Sequence, residues 1–270
     1  MAAKYFSVGS VATIVHHRGP TTLPGRPPAP MSGATVLCLH DVAGNGNVFA
    51  DVLDALAASH RPIAFDQPAH GRSGGLDSLG AIDAMAAHAK ALADALRVSS
   101  PVLLGDGMGA AVALEAAATW PDWPAAVVVC GGATATQAPD PAAIEQLRDV
   151  TAGRARRQFD TTGYAPDTPR EVYERAFGEW MKTDPRATVG DLVALAQWDG
   201  TSRLAAVTAP VVVIVGEHES PAARAAAQAV AAMVADGRVV DLAGAGRRGV
   251  VEQPQALAAL VAEVASGVPA

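Results

Sequence analysis

Residues 101–110 read PVLLGDGMGA: an apolar run, the turn Gly105-Asp106-Gly107-Met108-Gly109, then alanine-rich sequence through residue 118. A continuous apolar run bounded by glycine reads as a strand buried on both faces, and the stretch after it reads as a helix. Small residues at 105, 107 and 109 fit a sharp strand-to-helix turn that lifts its middle side chain above the sheet. The middle residue here is Gly107, which has no side chain.

Outward from this turn, apolar runs recur at 34–40, 62–66, 125–130, 209–216 and 238–242, most of them continuous and rich in Val, Ile and Leu. Helical patterns lie between or after them at 48–58, 81–96, 110–118, 222–234 and 254–264. Strand alternating with helix predicts an α/β fold with a mostly parallel, doubly wound sheet. Residues 5–8 and 11–17 read as a strand pair turning at Gly9 and Ser10, and 19–30, dense in Pro and Gly, as a surface connection. One segment breaks the alternation. Residues 138–200 hold helical stretches at 141–152, 169–181 and 191–198, no convincing strand, and half of the chain's aromatics: Phe159, Tyr164, Tyr173, Phe177, Trp180 and Trp198. The expected organisation is one domain, with a core of 1–137 and 201–270 and a helical cap, 138–200, over the carboxyl edge of the sheet, where ligands of open α/β sheets bind.

The 270 residues, 50% hydrophobic, suffice for one sizeable core. A net charge of -7 with scattered Lys and Arg leaves no basic stripe for nucleic acid. No apolar run approaches the roughly 18 residues of a membrane span, so neither nucleic acid nor membrane is an expected partner and a cytoplasmic location is expected. Cys38 and Cys130 each sit in an apolar run and read as buried reduced thiols. The seven histidines, at 16, 17, 40, 60, 70, 88 and 218, lack the paired spacing of a zinc-binding helix, and no metal or cofactor is expected. The glycines of 105–109 do not make a dinucleotide loop. That motif needs G-x-G-x-x-G at the first strand and an acidic residue about 20 positions on, whereas two strand-helix units precede this turn and the next strand ends in Cys130-Gly131-Gly132.

Four further landmarks stand in order around the turn. Leu39-His40-Asp41-Val42 looks like a His-Gly oxyanion turn with Asp41 in place of glycine. Asp66-Gln67-Pro68-Ala69-His70-Gly71-Arg72-Ser73 looks like an Asp-x-x-Gly-x-Gly-x-Ser loop with Ala69 in place of its first glycine. Val213-Ile214-Val215-Gly216-Glu217-His218-Glu219 looks like the strand and turn that carry a catalytic acid. Gly244-Ala245-Gly246-Arg247, followed by Glu252-Gln253-Pro254, looks like the segment that carries a catalytic histidine. From about residue 11 to the C-terminus the chain therefore resembles the α/β-hydrolase superfamily, especially small capped enol-lactonases and esterases. The resemblance puts Gly107 at the nucleophile position, Arg247 at the histidine and Glu219 at the acid. Arginine stays protonated at ordinary pH and cannot replace histidine as a general base.

The resemblance implies that Arg247 and Glu219 face each other, either as a pair or with Arg247 turned to an anionic ligand, and that the Val42 and Met108 amides point at a ligand oxygen. Asp41, Asp106 and His218 complete the candidate catalytic set. Asp106 could also be a displaced nucleophile, although Leu104 and Met108 are not the small neighbours that role requires. His40, Phe177, Trp180 and Trp198 are expected to line the pocket, with His40 and His70 also bonding their turns and Asp66 and Ser73 fixing their loop. Three functions stay open for a small-molecule pocket of this kind: a non-hydrolytic enzyme such as a lyase, isomerase or cyclase acting on a carbonyl compound, a silent binding or regulatory protein, and a hydrolase with a non-standard constellation.

Overall fold

The computed structural model describes residues 2–29, 31–131 and 138–268. Strands β1 (Ala2–Val8), β2 (Val11–His17), β3 (Thr35–Leu39), β4 (Arg61–Phe65), β5 (Val102–Asp106), β6 (Ala126–Cys130), β7 (Val211–Gly216) and β8 (Gly237–Leu242) form one sheet in the order β1-β2-β4-β3-β5-β6-β7-β8. From β4 through β8 every pairing is parallel, and β2 runs antiparallel to both β1 and β4. The helices in chain order are α1 (Ala50–Leu56), α2 (Ile82–Ala95), α3 (Met108–Thr119), α4 (Pro141–Thr151), α5 (Arg170–Trp180), α6 (Pro185–Gln197), α7 (Gly200–Leu204), α8 (Pro221–Met233), α9 (Gly249–Glu252) and α10 (Pro254–Ser266).

The central strands are buried on both faces because alternate side chains point to opposite layers. Leu37, Leu39, Leu103, Val127 and Val213 pack with Met85 and Leu92 of α2, the Met, Ala, Val and Leu side chains of α3 from Met108 to Ala118, and Val230 of α8. Val36, Cys38, Leu104, Val128 and Ile214 pack with Val52, Leu53 and Leu56 of α1 and Leu257 and Val261 of α10. Residues Met108 to Ala118 of α3 are all buried, which explains a helix built of alanine with almost no polar face. Cys38 and Cys130 are free and buried. Among the described residues no helix is long and apolar enough to cross a membrane.

Helices α4 to α7 lie between β6 and β7, and no strand interrupts them among the described residues. The junction expected at 137/138, and Gly132, fall on or beside residues outside that description. Helix α6 begins at Pro185 rather than at 191: Asp184 caps it by accepting from the Arg186 amide, with proline in the first turn. Its start is signalled by Asp-Pro, which apolar periodicity alone misses.

Buried polar groups tie these inserted helices to the strand ends. His70 donates Nδ1–H to the Pro68 carbonyl at 2.9 Å, and its Nε2 lies 2.7 Å from Asp191 Oδ2 on α6, both side chains fully enclosed. The second Asp191 oxygen accepts from Ser78 Oγ at 2.7 Å. With a carbonyl at one ring nitrogen and a carboxylate at the other, both nitrogens are donors and the ring is an imidazolium. Asn45 and Asn47 donate to the Glu179 carbonyl and carboxylate at 3.1 and 2.7 Å, joining the loop after β3 to α5.

Removing one member of a buried ion pair strands the other charge, at a cost of about 3–5 kcal/mol. Asp191→Ala is expected to lose stability of that order in urea titrations at pH 6. His70 is raised above its ordinary 6.5: burial alone would lower it, and Asp191 outweighs burial. Its contribution is therefore complete below pH 6.5 and fades as pH rises through the folded value, so the gap between wild type and variant narrows at alkaline pH.

Candidate active site

The carboxyl ends of the strands and the inserted helices enclose a cavity of ≈ 820 Å³, within the range of small-molecule sites. Asp106, where β5 runs into the β5–α3 turn, is part of its lining. Gly107 there has φ 53° and ψ -111°, a backbone that residues with a Cβ rarely adopt. A Cβ on Gly109 would run into the Leu39 carbonyl, and one on Gly105 into the backbone of Gly109. The alternate glycines are thus required by β5, α3 and the end of β3 passing backbone against backbone.

A Cβ on Gly107 would overlap the Asp41 carboxylate. That carboxylate is the centre of the site. Its Oδ1 accepts from the amides of Val42 and Met108, both at 2.8 Å. Its Oδ2 lies 2.9 Å from Arg248 Nη1 and 3.5 Å from Arg247 Nη2. Burial alone would raise the pKa of Asp41, but the two guanidiniums and two amides overcome it and hold the group ionised, below the ordinary carboxylate value.

Asp106, at the end of β5, also lines the cavity and is 8% exposed. Burial, reinforced by the Asp41 charge and opposed by Arg248 and Arg247, pushes its carboxyl up to about 7. Glu219 lines the cavity from the β7 side. Its Oε1 accepts from the Gly216 amide at 3.0 Å, and burial raises it despite that bond and Arg247.

Glu252 shapes the loop that carries both arginines. Its Oε2 accepts from the amides of Gly246 and Arg248 at 3.0 and 3.1 Å, and its Oε1 from the Ala165 amide and Thr168 Oγ1 at 2.6 and 2.7 Å. The Arg247 amide donates to the Gly163 carbonyl at 2.6 Å. The loop after β8 is thereby fastened to the segment between α4 and α5. Among the described residues no cluster of His, Cys, Asp and Glu could hold a metal ion.

Residues 36–260 match the model of the alpha/beta hydrolase family. The chain belongs to that family. Solved structures similar to it include an esterase from Thermogutta terrifontis (21% identity, 97% of each chain covered, TM-score 0.80). Others are the enol-lactonase from Burkholderia xenovorans LB400 (19%, 97% of this chain and 99% of that one, 0.80) and an esterase from Exiguobacterium antarcticum (17%, 97% and 99%, 0.83). At these identities the likeness is one of fold.

Within this alpha/beta hydrolase, several side chains depart from the sequence expectations. Arg247 is not paired with Glu219; its guanidinium approaches Asp41, because that carboxylate stands over Gly107 while Glu219 is turned back to the Gly216 amide. The Val42 and Met108 amides are not open to a ligand, since Asp41 accepts from both. His218 is exposed and outside the cavity wall. His40 is buried beneath the wall, with Nδ1 donating to the Asp41 carbonyl at 2.9 Å and Nε2 accepting from the Gln67 amide at 3.0 Å. Trp180 lines the cavity, whereas Phe177 is 44% exposed on an outer groove and Trp198 donates its indole N–H to Glu115 beside α3. Sequence reasoning missed Arg248 and Glu252 as site residues, and Tyr164, which lines the cavity, was singled out only as one of the cap aromatics. For Arg248 the signal was the doubled arginine at 247–248; for Glu252 it was the conspicuous Glu-Gln-Pro.

Gly107→Ala is expected to destabilise the protein by about 1–3 kcal/mol, from overlap with Asp41 and the left-handed backbone. Combining it with Asp41→Gly should recover the steric part, giving a clearly non-additive double-mutant cycle by chemical denaturation; strict additivity would mean that the two positions do not share this space.

Proposed function

We propose that this protein is a non-hydrolytic alpha/beta hydrolase, a lyase, isomerase or cyclase, that moves protons on a small carbonyl-containing molecule held beneath the cap formed by 138–200. The carrying observation is that two carboxylates flank Gly107 in environments that drive them apart: two amides and two guanidiniums hold Asp41 ionised, while burial and the Asp41 charge push Asp106 up to about 7. Titratable groups whose environments drive them apart are the usual basis of acid and base assignments.

Serine-type acyl transfer needs a nucleophile and a base. Gly107 and Arg247 supply neither. The amides of Val42 and Met108, which would form the oxyanion hole, are filled by the chain's own Asp41, so carbonyl polarisation by those amides is not part of the mechanism. Asp106 is the proton donor and acceptor: it lines the cavity and no hydrogen bond to a described residue holds its carboxyl. Asp41 keeps a fixed negative charge beside it and delays its ionisation. A displaced Asp106 nucleophile working with His218 is disfavoured by the exposed position of that histidine. A second reading, binding without turnover, is favoured by the same Asp41 contacts, which leave the fold's usual catalytic donors satisfied.

The test is solvent-deuterium incorporation into a panel of small ketones, enones and enol ethers, read by mass spectrometry. Wild type should exchange, Asp106→Asn should lose at least tenfold, and exchange requiring the protonated acid should fall as pH rises through about 7. Ester and lactone hydrolysis should stay at the buffer rate. Ester turnover by wild type, or exchange unaffected by Asp106→Asn, refutes the reading, and binding with no exchange on any compound favours the silent alternative.

A further inference from the structure

Arg247 is richer in donors than its neighbours require. Its guanidinium carries five N–H groups. Among the described residues the side chain has one acceptor, Asp41 Oδ2, at 3.5 Å, long for a hydrogen bond. Asp41 does not depend on that contact, since two amides fill its Oδ1 and Arg248 bonds its Oδ2 at 2.9 Å. Glu219, on the other side, is engaged with the Gly216 amide. The Arg247 backbone is fixed to Gly163, while its side chain is 41% exposed and lines the cavity. A planar fork, anchored at its base and, among the described residues, open at its tip towards a cavity, is suited to bidentate recognition of a carboxylate.

We infer that the cavity takes a small monocarboxylate, its carboxylate on the Arg247 fork and its apolar body against Leu147, Val150, Leu192, Leu195 and Val250, which line the same cavity. This deepens the proton-transfer reading and rests on it for the chemistry, with Asp106 lining the same cavity. One open guanidinium matches one carboxylate. A phosphate, with more oxygens and charge to satisfy, would also need backbone amides, and those of Val42 and Met108 are taken by Asp41.

The experiment is isothermal titration of the full chain with octanoate, phenylacetate and 4-phenylbutyrate, with the matching primary amides and with inorganic phosphate, each at millimolar concentration. At least one carboxylate should bind, its amide at least tenfold more weakly and phosphate not detectably. Arg247→Gln should weaken the carboxylate about 10- to 100-fold, the range of a charge-assisted contact, and Arg247→Lys less. Circular dichroism and thermal melts establish that both variants are folded, and the graded Gln and Lys effects separate a binding role from a folding defect. Equal binding of acid and amide, no effect of Arg247→Gln, preference for phosphate, or no binding of any carboxylate overturns the inference. Asp106→Asn should still bind the carboxylate. Deuterium exchange into neutral compounds without carboxylate binding would overturn this inference alone, and carboxylate binding without exchange would overturn only the proton-transfer reading.

Discussion

The Asp41 carboxylate, resting on two backbone amides and facing two guanidiniums, is the contact on which the rest of the site depends. A buried charge is tolerated only when compensated, and here the compensation comes from three separate parts of the chain. The Met108 amide is presented by the start of α3, the Val42 amide by the loop after β3, and the arginines by the loop after β8. A side chain at 107 would occupy the same volume as the carboxylate. Glycine at 107, aspartate at 41 and arginines at 247 and 248 therefore form one physical unit. The same charge also keeps the neighbouring Asp106 protonated to higher pH, so one side chain both closes the amide pair and tunes the acid beside it.

The inserted helices are held by a second tier of buried polar contacts. His70 with Asp191, and Asn45 and Asn47 with Glu179, fasten α5 and α6 to the loops after β3 and β4. Glu252 does the same for the loop after β8, bridging it to residues 165 and 168. Such groups have few alternative partners away from water, so they fix register where apolar packing alone would permit sliding. The cavity wall and the arginine loop are consequently positioned by three sets of buried polar contacts.

The fold was largely legible because its signal is local. Val, Ile and Leu runs, separated by glycine turns and helical patterns, give the parallel sheet, and the spaced glycines of 105–109 mark the tight β5–α3 crossing. Boundaries slipped where a cap rather than a period sets them, as at Asp184-Pro185. The candidate site was legible in part. The order of the motifs located Asp41, Asp106, Gly107, Glu219 and Arg247 around one sheet edge, but placed Arg247 against Glu219 and left the amides open.

By itself, the sequence determined the strand-helix alternation, the side-chain-free turn at Gly107 and the presence of a permanently charged arginine at 247, because these follow from residue type and short-range pattern. Only the tertiary structure decided which carboxylate the arginines meet, that Asp41 fills the space above Gly107, that His218 stands outside and Arg248 inside, and that Asp106 is buried enough to hold its proton near neutrality. The physical reason is that charge pairing and desolvation depend on distances of a few ångströms between residues as far apart in sequence as Asp41 and Arg248, and spacing along the chain carries no record of those distances.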